Sequence, residues 1–242
     1  MLTIAIPDLH APYHDETAWE TTIKIVAKTK PDRLVIGGDF VDCYACSSFD
    51  KHPARSQNLK TEIDLARKEL FRLVRAANCP IWYLEGNHEF RLERYLCQRA
   101  PELYGLISIK NLMLEGTRGI EWVPYRQHLT LGKVIYTHDV GHAGVYAGKH
   151  TLTACGHNVV FFHTHRGGLV TDGNHVGEKR FSLNCGWLGD LEAVDYMHRV
   201  KTKDWIHGLG LLDECPKTGL VWPQFVPILS GHARVFGAEI KT

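Results

Sequence analysis

Five short patches of metal-binding side chains recur in this chain: Asp8-Leu9-His10, Gly38-Asp39-Phe40-Val41-Asp42, Gly86-Asn87-His88-Glu89, Tyr136-Thr137-His138-Asp139 and Phe162-His163-Thr164-His165. A carboxylate has lone pairs enough to bridge two divalent cations, and Asp39 is the natural candidate. The imidazoles of His10, His138, His163 and His165 and the amide oxygen of Asn87 can complete the shells. Mixed nitrogen and oxygen donors suit Mn, Fe, Zn or Ni better than Ca or Mg, which prefer oxygen cages. Two such ions roughly 3.5–4 Å apart can clamp a phosphoryl group from both sides of an in-line displacement. The chemistry expected of the patches is therefore metal-assisted phosphoester hydrolysis.

Something must bring these patches together. Each follows or closes an apolar run of strand character: Leu2 to Ile6, Arg33 to Ile36, Ile81 to Leu84, Val134 to Tyr136 and Val159 to Phe162. In an open α/β sheet, the loops at the carboxyl ends of the strands gather in one crevice. The registration of strand and patch thus predicts convergence in space.

The order of motifs resembles the calcineurin-like metallophosphoesterase superfamily over roughly the first three quarters of the chain. That family's pattern runs D-x-H, G-D-x-x-D, G-N-H-[ED], a lone His, then G-H-x-H. The resemblance implies that Asp8, His10, Asp39 and His165 hold a first metal and that Asp39, Asn87, His138 and His163 hold a second. Mn is the expected ion, with Fe, Zn or Ni as alternatives. His88 is similar to the catalytic histidine that contacts the phosphate or protonates the leaving oxygen. Asp42 resembles the carboxylate that orients it. A hydroxide bridging the two metals is the implied nucleophile. The resemblance also implies a four-layer α/β/β/α sandwich of two mixed β-sheets flanked by helices. Leu183-Asn184-Cys185-Gly186 is similar to the N-P-G turn that often follows the last motif.

The sequence departs from the pattern in places. Phe162 replaces the usual glycine before the final histidine pair, and Asp139 stands where Gly is frequent. Pro7 precedes Asp8, which is tolerable at a strand end. Protein serine/threonine phosphatases continue with Arg-Gly after the second Asp, where this chain has Cys43-Tyr44. A nucleotide or nucleic-acid phosphoester is therefore expected ahead of a phosphoprotein or small molecule. A scaffold that kept the fold and lost the chemistry is the alternative of another class, and the full set of ligands argues against it.

Other residues carry weaker signals. Arg91, just past the start of a helix expected over Glu89 to Ala100, is a candidate phosphate contact, or an ordinary solvated arginine. Arg166 follows the last histidine pair and offers a fork suited to phosphate, or a plain surface role. His14 is a candidate for the mouth of the site. His142 and His150 are expected to serve the loop after the fourth motif. Glu85 and Glu89 are expected to pair locally, and Trp205 and His207 carry no assignable chemistry.

At 242 residues, with 44% hydrophobic and 23% charged residues, the chain is expected to form one domain over 1–242 with a sizeable core. Asp15 to Lys28 is expected to be helical. Leu59, Ile63, Ala66, Leu70, Val74 and Ala77 recur at helical spacing, and Asn78 with Pro80 ends that helix. Short strands are expected between Gly116 and Tyr136, a hairpin-like excursion over Gly167 to Val176, and late strands at Leu209 to Leu212 and Leu220 to Val226. A net charge of +1 lowers the expectation of nonspecific duplex binding without removing nucleic acid as a substrate. No run of about 18 apolar residues suggests a membrane span, and no signal peptide is recognisable. Seven scattered cysteines suggest free thiols in a reducing cytoplasm. Cys43 and Cys46 form a lone C-x-x-C, expected to be structural or incidental.

Overall fold

A computed structural model describes residues 1–51, 58–193 and 204–242. Its strands form a six-stranded sheet, a five-stranded sheet and a separate two-stranded hairpin. The first sheet is ordered β11-β10-β1-β2-β3-β4. Here β1 is Leu2–Ile6, β2 Arg33–Ile36, β3 Ile81–Leu84, β4 Ile120–Val123, β10 Gly208–Glu214 and β11 Val221–Pro227. The second is ordered β5-β6-β7-β9-β8, with β5 Leu129–Leu131, β6 Val134–Thr137, β7 Asn158–Phe161, β8 Gly167–Gly173 and β9 Lys179–Cys185. Both sheets are mixed. β1, β2, β3 and β4 run parallel, β10 and β11 antiparallel to their neighbours.

The two-residue alternation of a strand assigns each side chain to a layer. Ile4, Ile6, Leu34 and Ile36 pack beneath the helices with Trp19, Ile25, Leu70 and Leu73. Their neighbours Ala5, Val35 and Leu84 point the other way and meet Tyr136, Val160, Phe162 and Leu183 of the second sheet. Val159 and Phe161 face outward again, onto Ala147 of helix α5 (Ala147–Cys155). The order helix, sheet, sheet, helix is the expected four-layer sandwich. Each fully buried Leu, Ile, Val or Phe contributes about 1.5–3 kcal/mol, so the layer between the sheets fixes their spacing.

Helix α1 (Glu16–Thr29) starts where Asp15 accepts the N–H of Ala18, at 2.7 Å, and ends at Lys30 in the left-handed region. Helix α2 (Leu59–Ala77) follows the periodic pattern, with Asn58 as its N-cap and Asn78 left-handed at its end. Helix α3 (Phe90–Arg99) follows the third motif. Several elements lie outside the expectations: the short helix α4 (Ile109–Leu114), α5, the hairpin of β12 (His232–Val235) with β13 (Ala238–Lys241), and β9, which carries the hairpin begun by β8 on past Val176 and makes Leu183 to Cys185 strand where a turn is expected. His150, expected in a loop, lies on α5. Among the described residues no helix is long and apolar enough to cross a membrane.

Candidate metal centre

The motif residues meet where the carboxyl ends of the parallel strands converge. Asp8 and His10 follow β1, Asp39 and Asp42 follow β2, and Asn87 and His88 follow β3. His138 follows β6 in the second sheet, and His163 and His165 follow β7. Three groups of potential ligand atoms result: Asp8, His10 and His165; His10, Asp39 and His88; and Asp39, His138 and His163. Asp39 thus shares one group with His10 and another with His138.

The local backbone is unusual. His10, Asp39, His163 and His165 have φ of 55°, 47°, 68° and 60°. The left-handed region is uncommon for residues with a Cβ, and such strain concentrates at functional sites. The fold enforces it. Leu9 and His10 both donate their N–H to the carbonyl of Asp39, at 3.1 and 2.8 Å. At Phe162, where glycine is usual, the aromatic ring fills the space over Gly37, so a Cβ on Gly37 would lie 2.3 Å from it. The left-handed turn falls on His163 instead, and Phe162 donates its N–H to the carbonyl of His138 at 3.0 Å. Gly86 is needed for close approach, since a Cβ there would sit 2.2 Å from Asp39 Oδ1.

Hydrogen bonds set which nitrogen of each ring faces the centre. His138 Nδ1 lies 2.7 Å from the Gly37 carbonyl, which can only accept. Its Nε2 is left facing Asn87 Oδ1 at 2.9 Å and Asp39 Oδ2 at 3.4 Å. Three lone-pair-bearing atoms therefore converge, and such a convergence needs a positive charge among them. Burial works against a charge on His138, yet Asp39 and Asp8 raise its pKa to about 10. In the other group His10 Nε2 and His165 Nε2 stand 3.2 Å apart, and His165 Nε2 is 3.1 Å from Asp8 Oδ2. Burial lowers the pKa of His165 to about 4, against the pull of Asp8. Asp8 Oδ2 and His163 Nδ1 are buried without a hydrogen-bond partner. Unsatisfied buried acceptors of this kind are costly, and divalent cations would satisfy both sets. The donor set fits metal.

The residues beside the ligands are held as firmly. Asp42 Oδ1 accepts from His88 Nδ1 at 2.9 Å and from His10 Nδ1 at 3.1 Å. Burial would raise the pKa of Asp42, but His88 and His10 hold it well below the carboxylate range. Arg91 is buried. Its Nη1 donates to the Asp42 carbonyl at 2.9 Å and its Nη2 approaches His88 Nε2 at 2.8 Å. Burial lowers the pKa of His88, with the Arg91 charge acting in the same direction and Asp39 opposing.

Two other candidates have side chains engaged by neighbours of their own. Arg166 forks Asp204 through Nε and Nη2, at 2.7 and 3.1 Å, so the guanidinium is engaged in a bidentate pair. The ring of His14 packs edge-on to Trp19 at 6.4 Å, with Nε2 3.5 Å from Glu16. These contacts place it against helix α1 and not among the ligand groups. Asp139 receives the hydroxyl of Tyr125 at 3.4 Å and the N–H of Gly141 at 2.9 Å. Cys43 and Cys46 are buried free thiols outside the ligand groups, and burial raises the pKa of each, to about 11 for Cys46.

Glu89 matters more than local pairing suggests. It accepts backbone N–H groups from Asp39, Phe40 and Gly86 at 2.8, 2.8 and 3.0 Å and the hydroxyl of Tyr83 at 2.7 Å. Burial and the charge of Asp39 push its pKa up to about 7, while the hydroxyl of Tyr83 pulls the other way. The acidic residue closing the third motif was the available signal, but its reach across to the second motif exists only in three dimensions. Asn184, near the carboxyl end of β9, donates to Thr164 Oγ1 at 2.5 Å, between the two histidines of the fifth motif.

The family model of the calcineurin-like phosphoesterases matches residues 1–169. The chain belongs to this family. The Gene 54 protein of Mycobacterium phage L5 is similar along the full length, at 26% identity over 251 residues, covering 97% of this chain and 96% of the phage protein. Among solved structures, Vps29 of Chaetomium thermophilum aligns over 95% of this chain and 86% of its own, at 13% identity and a TM-score of 0.48. YfcE, a phosphoesterase from E. coli, aligns over 93% and 98%, at 16% identity and a TM-score of 0.44.

Proposed function

We propose that this calcineurin-like phosphoesterase is a dinuclear metal-dependent hydrolase of a nucleotide or nucleic-acid phosphoester. The observation that carries the reading is the sharing of Asp39 between a group containing His10 and a group containing His138 and His163. Asp8, His10, His165 and Asp39 would hold one cation, and Asp39, Asn87, His138 and His163 the other. When bound, such cations supply Lewis acidity, neutralising phosphoryl charge and lowering the pKa of water. Mn is the ion proposed.

The protein's own groups do the rest. Arg91 presents a positive charge beside the ligands, where it would meet the phosphoester. A phosphate oxygen is a better acceptor for its guanidinium than an imidazole nitrogen. Drawing Arg91 Nη2 onto the substrate frees His88 Nε2, which then faces the leaving oxygen. Asp42 keeps the ring oriented through Nδ1 and stabilises the imidazolium when His88 carries a proton. A general acid placed this way contributes about 10²–10⁴-fold. A reducing cytoplasm belongs to the same proposal and is supported by seven free thiols.

The test pairs elemental analysis of protein purified without chelator with a panel of bis-p-nitrophenyl phosphate, p-nitrophenyl phosphate, nucleotides and single-stranded DNA, each with added Mn. Bound metal and Mn-dependent hydrolysis are expected, with nucleotides or DNA among the substrates. Protein that holds no metal and hydrolyses nothing under any metal would be a scaffold, and the proposal would fail.

A further inference from the structure

A metal-binding histidine ordinarily donates its second ring nitrogen to a carboxylate or carbonyl, which fixes the ring's orientation. His10 and His138 obey this rule, through Asp42 and the Gly37 carbonyl. His165 does not. Its Nε2 faces Asp8 and His10, but its buried Nδ1 has no hydrogen-bond partner. Aromatic rings surround it instead. Trp187 lies stacked on the imidazole, with centroids 4.9 Å apart and planes at 14°. Trp205 meets it edge-on at 4.1 Å and 84°, and the two indoles touch each other at 4.8 Å.

The indoles are themselves anchored. Trp187 is fully buried and packs over Gly189, where a Cβ would lie 2.3 Å from its ring. The backbone ties the same segment to the ligands. Leu188 donates to the carbonyl of Asp8 at 2.8 Å, Trp187 to that of Ile206 at 3.1 Å, and Ile206 to that of His165 at 3.1 Å. Residues 187 and 205 are thereby held against a residue far away in sequence. Trp187 also stands 6.4 Å from His10, so the indole borders two members of one ligand group.

We infer that Trp187 and Trp205 are positioning residues for the Asp8–His10–His165 group, and that aromatic packing on His165 takes the place of the missing hydrogen bond. Aromatic pairs are worth about 0.5–1.5 kcal/mol beyond the area they bury. Two of them on one ring restrict its rotation without engaging Nδ1. The inference rests on the phosphoesterase reading only in requiring that this group takes a metal. It assigns to the second half of the chain, beyond the last motif, a part in selecting the geometry of the first metal position.

Manganese titration of the full-length protein, followed by calorimetry and by tryptophan emission, tests this. The wild-type protein should show two affinities, with emission quenched as the group next to the indoles fills. Trp205→Leu should weaken one of the two affinities by about 10–100-fold, the range for losing an orienting partner of a metal ligand, and leave the other in place. It should also reduce the quenching amplitude. Trp187→Leu should do the same, and Trp187→Phe, which keeps a stacking face, should restore most of the loss. Trp205 is only half-buried, so its variant remains informative even where a Trp187 variant folds poorly. Wild-type affinities in both leucine variants would overturn the inference. So would an equal loss at both positions, which marks general loosening. A wild-type protein that binds no manganese would instead overturn the phosphoesterase reading, and this inference with it.

Discussion

Glu89 Oε2 accepts the backbone N–H of Asp39 at 2.8 Å. Asp39, which belongs to two of the three ligand groups, is therefore set in place by a carboxylate outside all of them. Glutamine at this position would turn an NH₂ toward N–H and O–H donors. Each buried donor left unmatched costs about 1–3 kcal/mol. Glu89→Gln should lower the urea midpoint by a corresponding amount and weaken manganese binding as Asp39 shifts. Unchanged unfolding and metal binding would show that the loop needs no such anchor.

Asp39 and His88 should separate metal binding from turnover. Asp39→Asn removes charge from the shared position, so metal content by elemental analysis should fall together with rate. His88→Ala should retain metal and lose about 10²–10⁴-fold in kcat. An Asp39 variant that keeps two equivalents of metal and a normal rate contradicts the shared role.

The two arginines should behave differently. Arg91→Lys cannot contact the Asp42 carbonyl and His88 Nε2 together, and kcat/KM should fall about 10–100-fold, as for a lost hydrogen bond to a charged group. Arg166→Lys breaks the fork to Asp204, and kcat/KM should stay within about threefold of wild type. Steady-state kinetics on bis-p-nitrophenyl phosphate compares them, and a larger effect at Arg166 would reverse the assignment.

His14 provides a dependence of stability on pH. Burial lowers its pKa below the ordinary 6.5, although Glu16 pulls upward. A histidine with a depressed folded pKa contributes stability that is present above 6.5 and is lost as the pH falls through the folded value. Wild-type protein should thus lose more stability between pH 7.5 and pH 5 than His14→Gln. Urea unfolding at both pH values measures the difference, and parallel losses would mean that the imidazole is charged in the folded protein.

Much of the fold and of the site is legible in the sequence, for identifiable reasons. β1, β2 and β3 are apolar runs closed by ligands, so the sequence places Asp8, Asp39 and Asn87 at strand ends, and a sheet does the gathering. Helix α2 announces itself by its spacing from Leu59 to Ala77. Helix α5 does not, because Gly148, Thr151 and Thr153 dilute its pattern, and α4 is too short to show a period. The role of Glu89 depends on the second motif folding back over the third. The contact between Trp187, Trp205 and His165 depends on strand pairing between distant segments. Local residue patterns carry no trace of either. Arg166 was ambiguous in sequence because its acidic partner, Asp204, lies 38 positions away.

Two of the three ligand groups draw on both layers of β-structure: Asp8 and His10 from one with His165 from the other, and Asp39 from one with His138 and His163 from the other. A cation seated in either group would act as a clasp across the seam of the sandwich. Its removal by chelator should ease the two halves apart there first, exposing amides at the ends of β1 and β7 to hydrogen exchange before those of the outer helices.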